Sequence, residues 1–298
     1  MKELKIRSTD NYELSLNLYE TKKPKAIIQV IHGMEEHQDR YKDFATYLSK
    51  QGFMVVTSDM RGHGKNAKEL GYFKDKGGYK QLIEDQLKIR DYIQEHYNGT
   101  PVYLFGHSMG TMISRVLLQK NSKRYDKVVL CGYPNYQSAA GAGVMISALI
   151  RTFKGPKYDS KLLQNMTTGS FNYSIENPKT KVDWLSYNEE NVQKYINDPL
   201  CGFNFTVSAY NDLFHLLKQL HKAKAYKDIN PSLPFLMIAG TDDPCTGGKK
   251  GTASSIATLQ KAGFKNITRI DYENMRHEIL NEDNKEQVYK DVVEFLNK

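Results

Sequence analysis

The sequence predicts an α/β protein: a mostly parallel central sheet with helices on both faces, interrupted by a helical insertion. Three observations predict it. Apolar, β-branched runs such as "AIIQVIHG" (26–33), "FMVVTS" (53–58) and "VYLFGHS" (102–108) have the pattern of strands buried on both faces. Amphipathic helical stretches separate these runs, as parallel strands require. The alternation stops near Pro134 and resumes near Pro231.

Taken in order, the first twenty residues read as two strands with a turn at "TDN", because "LSLNLY" alternates with period two. The run 26–33 follows. "RYKDFATYLSKQG" then places Tyr41, Phe44, Tyr47 and Leu48 on one helical face and stops at Gly52. A second buried strand ends in "TSDMRGHG", and "LIEDQLKIRDYIQEHY" is an amphipathic helix. The strand "VYLFGHS", the helix "MISRVLLQK" and the strand "KVVLCGY" (127–133) complete the first half. Between 134 and 231 no stretch reads as a buried strand. Helical segments there carry Phe171, Tyr173, Trp184, Tyr187, Tyr195, Phe203, Phe205 and Phe214. "LPFLMIAGTDD" (233–243) restores the strand pattern, followed by a helix over 251–262, the strand "ITRIDYE" and a final helix "EQVYKDVVEFLNK". The division is a core of residues 1–133 and 232–298 carrying an insertion, 134–231.

Composition narrows the classes of function. With 298 residues, 40% of them hydrophobic and 26% charged, the chain can bury a core without staples and is neither disordered nor fibrous. The net charge of +8 comes from lysines scattered along the chain; the densest cluster, "TKKPK" (21–25), sits in a turn. No nucleic-acid partner is expected from that pattern. Cys131, Cys201 and Cys245 are far apart and odd in number, against a disulfide framework or a structural zinc site. "MKELKIRSTDNYEL" alternates polar and apolar residues and lacks an apolar leader core. No run approaches 18 apolar residues, so nothing spans a bilayer, and a cytoplasmic location is the expectation.

The chemistry is concentrated in "YLFGHSMGTMIS" (103–114). Gly-His-Ser-Met-Gly between a strand and a helix is the order of a nucleophile elbow, in which flanking glycines permit a tight turn and the serine stands exposed above the sheet. A serine hydroxyl needs a base. Of eight histidines, only His277, in "YENMRHEIL", lies beyond the returning strand. His215 and His221 fall on an insertion helix and are expected at its surface. "HEILN" lacks the second histidine of a helical zinc pair. The acid that orients the imidazole must come from a strand end. "CGYPNYQSAAGAG" offers no carboxylate, whereas "AGTDDP" offers two, Asp243 as the first choice and Asp242 as the fallback. The oxyanion needs two backbone donors: the N–H of Met109, opening the helix after the serine, and that of Met34, in a loop shaped by His32 and Gly33.

Together "HGMEEHQDRY", "DMRGHGK", "GHSMG", "GTDD" and "MRHEIL" resemble, in this order, the α/β-hydrolases of the monoacylglycerol lipase and lysophospholipase group, often merged with serine aminopeptidases. The resemblance covers nearly the whole chain and is strongest outside 134–231. It implies an α/β-hydrolase fold, the triad Ser108, Asp243 and His277, and an oxyanion hole from Met34 and Met109. It also implies a polar network of Glu36, His37, Arg40 and Arg61 bracing the oxyanion loop. Thr111 departs from the pattern, since relatives often have glycine there; a β-branched residue would alter helix–strand packing.

The insertion bears on substrate. "SAAGAGVMISALIRTF" (138–153) is nearly uncharged until Arg151 and reads either as a lid with a lipid-facing side or as a helix packed on the core. The aromatic residues after it suit an acyl channel or the insertion's own core. The resulting expectation is a serine carboxylester hydrolase for a small fatty-acyl ester, monoacylglycerol or lysophospholipid, needing no metal or organic cofactor and touching membrane surfaces transiently through the insertion. The rivals are an aminopeptidase, with Glu176, Glu189 and Glu190 as the obvious anionic groups of 160–200, a non-catalytic binding module, and an anionic-polymer binder.

Overall fold

The computed structural model describes all 298 residues. Eight strands form one sheet: β1 (Lys2–Arg7), β2 (Glu13–Tyr19), β3 (Ile27–Ile31), β4 (Met54–Ser58), β5 (Val102–His107), β6 (Lys127–Cys131), β7 (Phe235–Gly240) and β8 (Ile267–Tyr272). Their spatial order is β1-β2-β4-β3-β5-β6-β7-β8. β2 runs antiparallel to β1 and β4; every other pairing is parallel. The order reverses around β3 and β4, and active groups of such sheets gather at the carboxyl ends of the central strands.

Period-two alternation sorts each central strand between two cores. In β5, Val102 and Leu104 face one side with Leu130 and Met237, while Tyr103 and Phe105 face the other with Val129 and Ile238. The second face is covered by α1 (Lys42–Lys50) and α9 (Lys285–Asn297) through Phe44, Leu48, Val288 and Val292. The first is covered by α2 (Gly78–His96), α3 (Met109–Asn121) and α8 (Gly248–Ala262). One polar residue sits inside β3: the Gln29 amide donates to Gln86 and accepts from the Tyr125 hydroxyl, so nothing there is left unpaired.

Every strand and helix expected outside 134–231 forms. The main difference is α2, which begins at Gly78, four residues earlier than its apolar periodicity starts, because Gly77 at φ 70° supplies the turn into it. Between β6 and β7 the chain adds no sheet strand. It forms α4 (Ala140–Lys154), α5 (Lys161–Thr167), α6 (Glu189–Asn197) and α7 (Val207–Gln219). α7 continues the main core through Val207, Tyr210 and Leu216. α4 lies against α7, where Gly143 leaves room for the Phe214 ring (a Cβ there would meet it at 2.5 Å), and Asn211 Nδ2 donates to Ser147 Oγ at 2.8 Å. The opposite side of α4 exposes Met145, Leu149 and Phe153, each four residues from the next. His221 is exposed and His215 half-buried; both stack on tyrosines, His215 on Tyr79 and His221 on Tyr136.

Candidate active site

Ser108 follows the last residue of β5 and precedes α3, at φ 49° and ψ −120°. A non-glycine residue held there costs roughly 1–3 kcal/mol and persists only where surrounding packing dictates it. Two glycines do the dictating. A Cβ on Gly110 would lie 2.1 Å from the Ile31 carbonyl oxygen, and one on Gly106 would lie 2.6 Å from Ser114 Oγ. The bracket of glycines around the serine is therefore steric: α3 starts hard against the end of β3. Thr111 fits without disturbing this, buried and with its hydroxyl donating to the Ser108 carbonyl at 2.8 Å.

His277 lies in the loop after β8 and Asp243 in the loop after β7. Gly132, at φ 57°, and Gly240 leave room for them; a Cβ on Gly132 would touch the His277 ring at 3.1 Å. His277 Nδ1 is 2.9 Å from Asp243 Oδ2, and both residues are buried. The other Asp243 oxygen accepts the Cys245 N–H at 2.8 Å, which fixes the carboxylate plane. Asp242 points away, exposed and bonded to the Tyr187 hydroxyl. Burial works against a charged His277, but the Asp243 carboxylate, with Glu278 and Glu36 behind it, outweighs burial and raises its pKa above the ordinary histidine value. Ser108 Oγ makes no hydrogen bond to His277 in this conformation; both line the same cavity of about 270 Å³. Such contacts commonly tighten only around a substrate.

The loop after β3 is held through both backbone groups of Gly33. His32 Nε2 accepts the Met60 N–H at 3.0 Å, so its proton is on Nδ1, which donates to the Gly33 carbonyl at 2.8 Å. In a trans peptide the N–H opposes the C=O, so anchoring the Gly33 carbonyl aims the Met34 N–H the other way. The Gly33 N–H is bonded to Glu36 Oε1, which also accepts the Tyr41 hydroxyl. Neither Met34 N–H nor Met109 N–H is taken by a backbone acceptor.

Behind the loop, Arg40 forks between Glu36 and Glu278, reaching Glu36 at 2.9 Å and Glu278 through both guanidinium ends, with Asn191 adding a further bond to Glu278. All three charges are nearly fully buried. Burial raises both carboxyls, but the guanidinium overrides it and holds them below the usual range. His37 is not bonded to these groups; its Nε2 lies 2.8 Å from Asp198 instead. Arg61 does not belong to this network. Its guanidinium pairs with Asp85 and Asp10 and lies over the Tyr12 ring, bracing β1–β2 against α2 instead.

Several contributing residues carry no local sequence signal. Glu278 is one. Glu282 is another: its carboxylate accepts from Ser186 Oγ and from the backbone N–H groups of Tyr187, Asn188 and Arg276, tying 186–188 to the His277 loop. Trp184 lies 5.1 Å from the His277 ring. Glu176, Glu189 and Glu190 are exposed and outside the cavity; Glu189 and Glu190 pair with Lys179 and Lys194. Potential metal-binding atoms converge twice, in His37–Asp198–Cys201 and in Asp243–Cys245–His277. In both clusters burial pushes the thiol up.

Residues 22–284 match the family model described as serine aminopeptidase, S33. The chain belongs to this serine-hydrolase family. A monoglyceride lipase of Mus musculus is 30% identical over 224 residues, 74% of this chain and 66% of that protein, so the matched segment spans just under two thirds of this relative. A phospholipase of Bacillus subtilis is 24% identical over 90% of this chain and 93% of its own. The fold superposes on a thermostable carboxyl esterase from Bacillus coagulans, solved with glycerol, with a TM-score of 0.92 at 27% identity, covering 99% of this chain and 97% of that one. The architecture is therefore the α/β-hydrolase fold, as expected. No helix is long and apolar enough to cross a membrane.

The cavity runs from Ser108 and His277 under α4 and α7. Met34, Met109, Met112, Met166, Leu213, Phe214 and Leu217 make much of its wall apolar. Of the aromatic residues expected in 134–231, Phe171, Trp184, Tyr195 and Phe214 line the cavity, whereas Phe205 is buried beside His63 and Phe73, and Tyr173 is exposed.

Proposed function

We propose that this chain is a serine carboxylester hydrolase whose substrate is a fatty-acyl ester of a small alcohol, such as monoacylglycerol or a lysophospholipid. The observation that carries the reading is the buried His277–Asp243 pair opening onto the same cavity as Ser108 on its strained turn. In this mechanism the hydroxyl of Ser108 rotates onto His277 Nε2, which takes its proton as Oγ attacks the ester carbonyl. Asp243 keeps the proton of Nδ1 in place and stabilises the imidazolium. The negative oxygen is received by the Met34 and Met109 N–H groups, each worth on the order of 3 kcal/mol in the transition state. His277 then protonates the departing alcohol, water enters, and the same histidine activates it against the acyl-enzyme.

Residues 134–231 act as a cap. The methionine-rich wall suits an acyl chain because it is apolar and deformable. The exposed stripe of Met145, Leu149 and Phe153 gives the cap a side suited to transient contact with a lipid surface. The similar lipases, phospholipase and esterase all act on esters by name, which supports ester over amide. The test is hydrolysis of acylglycerols and lysophospholipids of graded chain length, run beside aminoacyl amides and beside Ser108→Ala. Turnover of amides alone would overturn the reading.

A further inference from the structure

Of the unpaired polar groups in the cavity that this mechanism does not use, among them His107 Nδ1 and Asn135 Oδ1, one is an acid. Glu35 is buried, lines the cavity, and makes no hydrogen bond through its carboxyl to any protein group. Its backbone is at φ 57°, a conformation that favours glycine, and is fixed by the Gly202 N–H donating to its carbonyl at 3.0 Å. Both features cost stability: glycine would relieve the backbone strain, and a neutral side chain would relieve the unpaired buried acid. Such costs concentrate at functional sites. The neighbouring Glu36 and Glu278 are different, being satisfied by Arg40. No lysine or arginine lines the cavity, and Arg40 is already engaged by Glu36 and Glu278, so a phosphate or free carboxylate entering it would find no basic side chain apart from the catalytic His277 to offset its desolvation.

We propose that Glu35 selects the alcohol half of the ester, its carboxyl binding a hydrogen-bond donor, hydroxyl or ammonium, on an uncharged or cationic leaving group and disfavouring an anionic one. Burial pushes its pKa up to about 8, so near neutral pH it carries a proton and can both donate to and accept from a hydroxyl; an ammonium would instead draw it into the charged form. Tyr195 and Tyr210 lie close enough for the Glu35 charge to raise their hydroxyl pKa values further, which puts the carboxyl against the α6 and α7 side of the cavity. The inference rests on the ester-hydrolase reading and deepens it: of the substrates named above, those with a neutral or amine-bearing head fit and those with a net anionic head do not.

The experiment compares kcat/KM of wild type, Glu35→Gln, Glu35→Ala and Glu35→Gly on four esters of one acyl chain. These are the glyceryl ester (hydroxyl donor), the 2-aminoethyl ester (ammonium donor), the methyl ester (no donor) and the glycerol-phosphate ester (anionic). In wild type a donor-bearing ester should exceed the methyl ester and the anionic ester should be poorest. In Glu35→Ala and Glu35→Gly the advantage of the donor-bearing ester should fall about tenfold to a hundredfold, mostly through KM. Glu35→Gln should keep more of the glyceryl advantage than of the aminoethyl one, which identifies the donor. Glu35→Gly should also melt at a higher temperature than wild type, separating lost recognition from misfolding. A glyceryl-to-methyl and aminoethyl-to-methyl ratio unmoved by Glu35→Ala, or an anionic ester that wild type prefers, overturns the inference. Ester hydrolysis that survives in Ser108→Ala would instead overturn the reading beneath it.

Discussion

Replacing Arg40 with methionine keeps the aliphatic stem and removes the charge that Glu36 and Glu278 share. Their side chains are only 5% and 4% exposed, and Arg40 itself 10%. Two carboxylates would then face each other in a dry site. Breaking a buried pair in this way costs about 3–5 kcal/mol. At about 2 °C per kcal/mol for a domain of this size, the melting temperature should fall by about 6–10 °C at pH 8. The pH dependence has a definite sign. In wild type both carboxyls are depressed, so they contribute stability above the unfolded carboxyl value of about 4.3 and lose it as pH falls through their folded values. Without Arg40 burial dominates, both carboxyls rise, and stability is lost as pH increases. The deficit should therefore shrink between pH 8 and pH 5, and Arg40→Met/Glu36→Gln/Glu278→Gln should recover part of it. Because Glu36 holds the Gly33 N–H, kcat should also fall, measured on a soluble short-chain ester. Thermal melts across that pH range decide it: an Arg40→Met deficit that is absent, or that grows as pH falls, would refute the reasoning.

Asp243→Asn should lower kcat by up to about four orders of magnitude and move the acid limb of the kcat/KM profile down, since Asp243 leads the carboxylates that raise His277 against burial. In wild type that limb should lie above pH 6.5, the ordinary histidine value, and a limb below it in a pH–rate series would contradict the pairing. Glu282→Ala removes the acceptor of four donors between 186–188 and the His277 loop; a loss of about 2–4 kcal/mol in chemical denaturation is expected, with Glu282→Gln losing less. Leu149→Asp/Phe153→Asp should weaken binding to lipid vesicles while leaving hydrolysis of a soluble short-chain ester intact; vesicle co-sedimentation unchanged from wild type would remove the stripe from the account.

That Ser108, Asp243 and His277 come together is legible in the sequence because each follows a strand end, and strand ends of a parallel sheet converge by topology alone. Between Asp242 and Asp243 the sequence says only that neighbouring side chains diverge; the bond of Asp243 to His277, its cap on Cys245 and the outward turn of Asp242 separate them. Arg61 was misplaced because a charge next to "GHG" gives no direction: its partners, Asp10 and Asp85, lie on elements that only the tertiary fold brings beside it. Glu278 and Glu282 carry no such signal for the same cause: apart from the Arg276 N–H, six residues from Glu282, the partners that anchor them lie 87 to 238 residues away in sequence. Glu35 sits one position from Glu36 and looks identical in composition. What separates them, a positive φ and an arginine reached by only one, is invisible until the loop is folded.

Ser108 as the acylated residue is tested most directly by treating the protein with a fluorophosphonate and mapping the adduct by peptide mass spectrometry. The account expects a single adduct on the peptide containing Ser108, formed more slowly after His277→Ala and absent, together with ester hydrolysis, in Ser108→Ala. An adduct on another residue, or ester turnover that persists in Ser108→Ala, would contradict it.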